Sequence, residues 1–203
     1  MSGARKAYVH ASATVEPDVA IGVGSKVWAS SQVGTGARLG RDCVVGIGAF
    51  IDTGVTLGDN CKVQNRALVY APAVLGDGVF VGPAAVLTND LYPRAVNPDG
   101  SVKSADDWEP VGVTLRSGCS VGAGAVVVAP AVVGEWATVA AGAVVVHDVP
   151  DFALVAGVPA RRIGWVGRAG RPLVEEESGR FRCPATDERY TEVGGVLVRE
   201  VTD

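Results

Sequence analysis

The sequence predicts an all-β protein: a parallel β-solenoid of six-residue repeats with one protruding loop and a small C-terminal appendage. Three observations carry this. An aliphatic residue recurs at every sixth position over most of the chain. A small residue stands two places before each of them. The composition is 48% hydrophobic yet only 6% aromatic, with 27 glycines in 203 residues, which suits a narrow core filled by small branched side chains rather than helices packed on a broad sheet.

The repeat starts at Val9 and steps through Val15, Ile21, Val27, Val33, Leu39, Val45, Ile51, Leu57, Val63, Val69, Leu75, Val81 and Leu87 without an exception. It stops at Thr88, resumes at Leu115 and continues through Val121, Val127, Val133, Val139 and Val145. A helix repeats at 3.6 residues and a strand at 2, so a period of six is a short strand plus a turn, repeated. Three such units make a triangular coil of eighteen residues, and the twenty hexads predict between six and seven coils. The second inward position carries residues such as Ala13, Ser25, Ala37, Cys43, Ala49, Cys61, Ala67, Cys119 and Ala137, all small enough for a tight corner. Cys43, Cys61 and Cys119 are therefore expected to be buried filler. Glycine follows many of the aliphatic positions, where the chain is expected to bend closely.

Residues eighteen apart stack on one outward face. One such face reads Thr14, Gln32, Phe50, Leu68 and Val86, polar and then apolar. Contiguous outward Phe, Leu and Val predict a subunit contact and hence a homo-oligomer. The net charge of −4 with no basic stripe argues against nucleic acid and against a membrane surface. No apolar run approaches a transmembrane length, and the start lacks a signal-peptide core. The four cysteines form no CxxC pair, so a reduced, cytoplasmic setting is expected.

With this pattern in view, the chain resembles the hexapeptide-repeat acyltransferases over about Val9–Arg162, and the resemblance implies a left-handed parallel β-helix working as a trimer with active sites between subunits. It divides the chain into a β-helix over 1–150 with a loop excursion at 88–114, an exit segment over 151–165 and a small tail over 166–203. The stretch VVHDVPDFALVAGVPARRIGW, Val145–Trp165, looks like the family's exit sequence. On that resemblance Gly157, Val158, Pro159, Arg161 and Arg162 are expected to close over acetyl-CoA, the two arginines meeting its phosphates. The same scaffold hosts three-histidine metal enzymes, but this chain has only His10 and His147, at opposite ends of the solenoid, so no metal is expected.

The break at Thr88 holds the candidate chemistry. TNDLYPR, Thr88–Arg94, together with KVQNRALVY, Lys62–Tyr70, is similar to the nucleotide-sugar 3-amino N-acetyltransferases, of the UDP-2-acetamido-3-amino-2,3-dideoxy-glucuronate N-acetyltransferase type. The resemblance makes Asn89 the residue that holds the acceptor amine or the thioester carbonyl. It makes Gln64, Asn65, Tyr70, Thr88, Asp90 and Arg94 the substrate-binding set, with Asp90 facing the amine and Arg94 a sugar carboxylate or diphosphate. The break contains no histidine. A hydroxyl acceptor needs a base to attack a thioester, whereas a deprotonated amine does not, so the sequence favours N-acetylation. An O-acetyltransferase for a sugar or small alcohol, and a non-enzymatic solenoid module used for assembly, are the alternatives. Beyond Val166 the hexads end. Relatives of this group sometimes end in a zinc ribbon, but Cys183 stands alone there, and a short metal-free β-hairpin-like tail is expected.

Overall fold

The computed structural model describes residues 6–200. Twenty two-residue strands, β1 (Tyr8–Val9) to β20 (Val144–Val145), alternate with turns and wind into the left-handed three-sided parallel β-helix that the hexad predicts. Every third strand stacks in register, eighteen residues on where the coil is uninterrupted, as in Lys26↔Val44, Lys62↔Val44 and Lys62↔Phe80, and forty residues on across the loop, as in Phe80↔Ser120. The first sheet has nine strands, the second seven and the third six. The aliphatic residues from Val27 to Val145 point inward and are buried, as are nearly all the small residues two places before them. Each of the aliphatic side chains contributes about 1.5–3 kcal/mol of burial, and the gain recurs along the coil because each rung contacts only its neighbours.

The three solenoid cysteines are fully buried. Cys43 donates its thiol to the Gly58 carbonyl at 3.1 Å and Cys61 to the Gly76 carbonyl at 3.0 Å, the place taken lower in the column by the Ser25 hydroxyl on Gly40. The hydrogen-bonded Cys43 thiol, together with burial, holds Cys61 well above the ordinary thiol range. Burial pushes Cys119 up to about 12.

The glycines after the inward positions are there for room rather than for bending. At Gly46 an added Cβ would stand 2.6 Å from the backbone nitrogen and the Oδ1 of Asn65 in the next coil. The positive φ values fall instead two residues further on, as at Gly48 (64°) and Arg66 (58°).

Two departures from the hexad shape the upper end. After β14 (Val86–Leu87) the chain leaves the coil and re-enters at β15 (Thr114–Leu115). After β20 the step shortens: Val149 bridges Val133, and β21 (Ala153–Ala156) adds in parallel to the first sheet with Val155 beside Val139. The chain then reverses into β22 (Arg161–Trp165), antiparallel to β21. The tail is more than a hairpin. Strands β23 (Val174–Glu177), β24 (Arg180–Arg182), β25 (Arg189–Val193) and β26 (Val196–Arg199) form a four-stranded antiparallel sheet. It packs on the solenoid end through Tyr190, whose ring meets Phe152 edge-on at 5.4 Å. Among the described residues no helix is long and apolar enough to cross a membrane.

Candidate functional site

The site is built at the far edge of the second sheet, where the residue after each inward position precedes the corner into the third sheet. The Tyr70 N–H donates to the Leu87 carbonyl and the Thr88 N–H to that of Val127, so Tyr70 and Thr88 occupy adjacent rungs. Phe50, one rung below, holds the Tyr70 ring at 5.5 Å and 55°. Thr88 is the last residue in register. Its Oγ1 accepts the Ala129 N–H at 3.0 Å, which ties the coil above to the departing loop.

The loop is closed at its base, where the Val111 N–H donates to the Asn89 carbonyl at 3.1 Å. This leaves the Asn89 side-chain amide half-buried with no hydrogen bond to any described residue. Beyond it, Asp90 Oδ1 accepts the Tyr92 N–H at 2.9 Å and so caps the turn. Arg94 reaches only the adjacent Pro93 carbonyl and stands exposed. The outer loop is ordered by local pairing: Val96 bridges Val102, and Ser104 and Asp107 cap the short 3₁₀ turn Ala105–Asp107. No residue from 89 to 112 is buried, and Tyr92 is 78% exposed. An ordered segment that leaves Leu91, Tyr92, Val96, Val102 and Trp108 facing outward has the character of a contact surface.

Gln64 and Asn65 are not brought to Tyr70 within one chain. They lie at the corner where the first sheet turns into the second, and a full side of the triangle separates that corner from the one Tyr70 precedes. The cause is the six-residue step, which gives each hexad its own side. Asn65 also has a packing task, since its Oδ1 accepts the Ile47 N–H of the coil below at 2.9 Å.

The exit segment lies along β20. The Val144 N–H donates to the Gly157 carbonyl at 3.0 Å and the Ala160 N–H to that of Val144 at 2.7 Å, which turns Val158 and Pro159 outward, Val158 at 73% exposure. Beside it a cleft of about 220 Å³ is lined by Val146, His147, Asp148, Ala160, Arg161 and Arg162, among others. The two arginines differ. Arg162 pairs with Glu192 at 3.2 Å and lies 4.0 Å from the centre of the Trp165 ring, whose indole N–H donates to the same carboxylate at 2.9 Å. Arg161 bonds only the neighbouring Ala160 carbonyl and keeps its charge available. Sequence reasoning missed Glu192, thirty residues away, because nothing local marks it as the partner of Arg162.

The outward stripe on the second sheet runs further than the expected residues. Phe50, Leu68, Val86, Val126 and Val144 are stacked in register, with Thr14 and Gln32 below. Among the described residues no three His, Cys, Asp or Glu side chains gather as a metal site.

The model of the hexapeptide repeat of succinyl-transferase matches residues 13–53, 36–71 and 109–129. Serine acetyltransferase of Escherichia coli K12 is 40% identical over 88 residues, which is 43% of this chain and 31% of that protein. The dTDP-3-amino-3,6-dideoxy-α-D-galactopyranose 3-N-acetyltransferase of Aneurinibacillus thermoaerophilus is 50% identical over 52 residues, 26% of this chain and 27% of that protein. The chain thus spans about a third or less of the length of these curated relatives. Among solved structures, a variant of the Bacillus cereus N-acyltransferase AntD, in complex with dTDP and coenzyme A, aligns at a TM-score of 0.50 and 17% identity over 80% of this chain and 82% of that one. The acetyltransferase domain of PglB from Neisseria gonorrhoeae aligns at 0.48 and 26% over 80% and 60%. The hexad register, the three-sided coil and the matched repeat agree in making the chain similar to the hexapeptide-repeat proteins along its solenoid.

Proposed function

We propose that the protein is an acetyl-CoA-dependent N-acetyltransferase acting on the 3-amino group of a nucleotide-linked amino sugar. The observation that carries this reading is the break in the coil. It places the Asn89 amide, which no described residue pairs, directly after Thr88 and one rung beyond Tyr70, and the break itself contains no histidine. His10 lies on the first rung, where it bonds Ser12, and His147 lies beside the exit segment. A site of this kind orients an amine that is already nucleophilic and offers no base to a hydroxyl. The matched aminosugar N-acetyltransferase supports the same chemistry.

In this reading Asn89 holds the amine. Thr88, Tyr70 and Asp90 line the acceptor side, Arg94 meets the acceptor's negative charge, and Gln64 and Asn65 belong to the opposite wall. That wall comes from a neighbouring subunit, because one chain keeps the two corners apart. Gly157, Val158, Pro159 and Arg161 border the acetyl-CoA end, with Arg162 bracing the segment. The assembly is a trimer through the Phe50, Leu68 and Val86 face, and no metal takes part. The four buried, unpaired cysteines suit a reducing cytoplasm. The likeness to serine acetyltransferase keeps O-acetylation of a small alcohol as a second reading.

Thiol release from acetyl-CoA, measured over a panel of nucleotide-linked 3-amino sugars, the matching 3-hydroxy sugars and serine, separates the two. Turnover confined to 3-amino sugars is expected. Turnover with hydroxyl acceptors alone would overturn the N-acetylation reading, and no turnover with any acceptor would overturn both.

A further inference from the structure

The far edge of the second sheet uses one bracket twice. Asp52 Oδ2 accepts the Ala71 N–H at 3.1 Å, and Thr88 Oγ1 accepts the Ala129 N–H at 3.0 Å. Each bracket leads into an alanine–proline corner of the adjoining coil, Ala71–Pro72 and Ala129–Pro130. A carboxylate does this work with acceptors alone, whereas a hydroxyl keeps a proton to give. The Thr88 proton has no acceptor among the described residues. Its oxygen is fixed by Ala129, its backbone N–H is committed to the Val127 carbonyl, and the unpaired Asn89 amide follows it directly in the chain.

We propose that Thr88 is a catalytic hydrogen-bond donor to the thioester oxygen, and this rests on the acyl-transfer reading above. The acceptor amine attacks the thioester carbonyl carbon, a C–N bond forms, and the carbonyl π pair moves onto oxygen. Thr88 donates a hydrogen bond to that developing alkoxide without giving up its proton. Collapse restores the carbonyl, breaks the C–S bond and expels the coenzyme thiolate. The proton lost by the nitrogen ends on that thiolate, so amide and free thiol are the products. The Ala129 N–H draws density from the Thr88 oxygen and makes its O–H the better donor. Because the oxygen is held before substrate arrives, no reorganisation is needed as charge appears.

Four substitutions separate donor from bracket. Thr88→Ser keeps both functions, and Thr88→Asn keeps an acceptor oxygen beside donor hydrogens. Thr88→Asp keeps only the acceptor, as Asp52 does, and places a charge against the alkoxide. Thr88→Val keeps neither. Ser and Asn are expected to retain kcat within a few-fold, while Asp and Val should lose roughly 10²–10³-fold in kcat with the KM for acetyl-CoA little changed. Thermal melting of Thr88→Asp should match wild type. Wild-type kcat in Thr88→Asp would overturn the proposal and leave Thr88 a bracket. If that variant does not fold, Thr88→Cys replaces it: a thiol fills the space but donates weakly, so wild-type kcat there has the same meaning. Absence of thiol release by the wild type with every acceptor would overturn the acyl-transfer reading itself, and this proposal with it.

Discussion

Asn89 stands out because no other described residue uses its side chain. Asparagine at a loop start is often a turn cap, yet here Asp90 does the capping, on the Tyr92 N–H, and the Asn89 backbone carbonyl closes the loop on Val111. The amide is left for a ligand. Asn89→Ala is expected to lower kcat by roughly 10²-fold, the scale of one positioned hydrogen-bonding group, in an acetyl-transfer assay with the cognate amino sugar. In the same assay the pH profile of kcat/KM should rise along a single limb set by the substrate amine. His10→Asn and His147→Asn should leave it in place. Abolished turnover in a folded histidine variant would show a histidine base and remove the argument from the missing one.

At the scale of the element, the exit segment shows how two adjacent arginines acquire different tasks. Both arginines border the cleft, but Glu192 of the tail sheet pairs with Arg162 and Trp165 lies against it, while the Arg161 guanidinium bonds only the neighbouring Ala160 carbonyl and has no carboxylate partner among the described residues. Arg161→Ala should raise the KM for acetyl-CoA several-fold without a change in melting temperature. Arg162→Ala should instead loosen the tail, which hydrogen exchange of the β25 amides would report, because Glu192 loses its charged partner. The reverse pattern would show that Arg162 is the coenzyme contact. The hexad itself was legible at this scale, down to the strand register, since an aliphatic residue every six leaves no other closed packing. The role of the following glycines was not. They serve the approach of the next coil, as Gly46 does for Asn65, and that neighbour lies nineteen positions away in sequence.

For the whole molecule, the decisive surface is the second sheet. Its lower rungs carry Thr14 and Gln32, and its upper rungs carry Phe50, Leu68, Val86, Val126 and Val144 in one line beside the root of the loop. Burying that line between subunits would bring the Gln64–Asn65 corner of one chain toward the Tyr70–Asn89 edge of another. Phe50→Asp or Leu68→Asp is expected to reduce the sedimentation mass to that of a monomer, because each buries an unpaired charge in an apolar contact. Activity should fall with it. An unchanged mass for both variants would exclude this face from the assembly.

The sequence by itself determined the coil, its three sides, its inward and outward residues and the place where it breaks. These depend on contacts that recur at six and eighteen residues, so local order contains them. Only the tertiary structure decided which polar side chains are free. It commits Thr88 to Ala129, Asn65 to Ile47 and Arg162 to Glu192, and it leaves the Asn89 side chain without a partner among the described residues. The same structure made the tail a four-stranded sheet packed on Phe152. Such pairings follow no period, and they exist only once distant residues have been folded to within hydrogen-bonding reach.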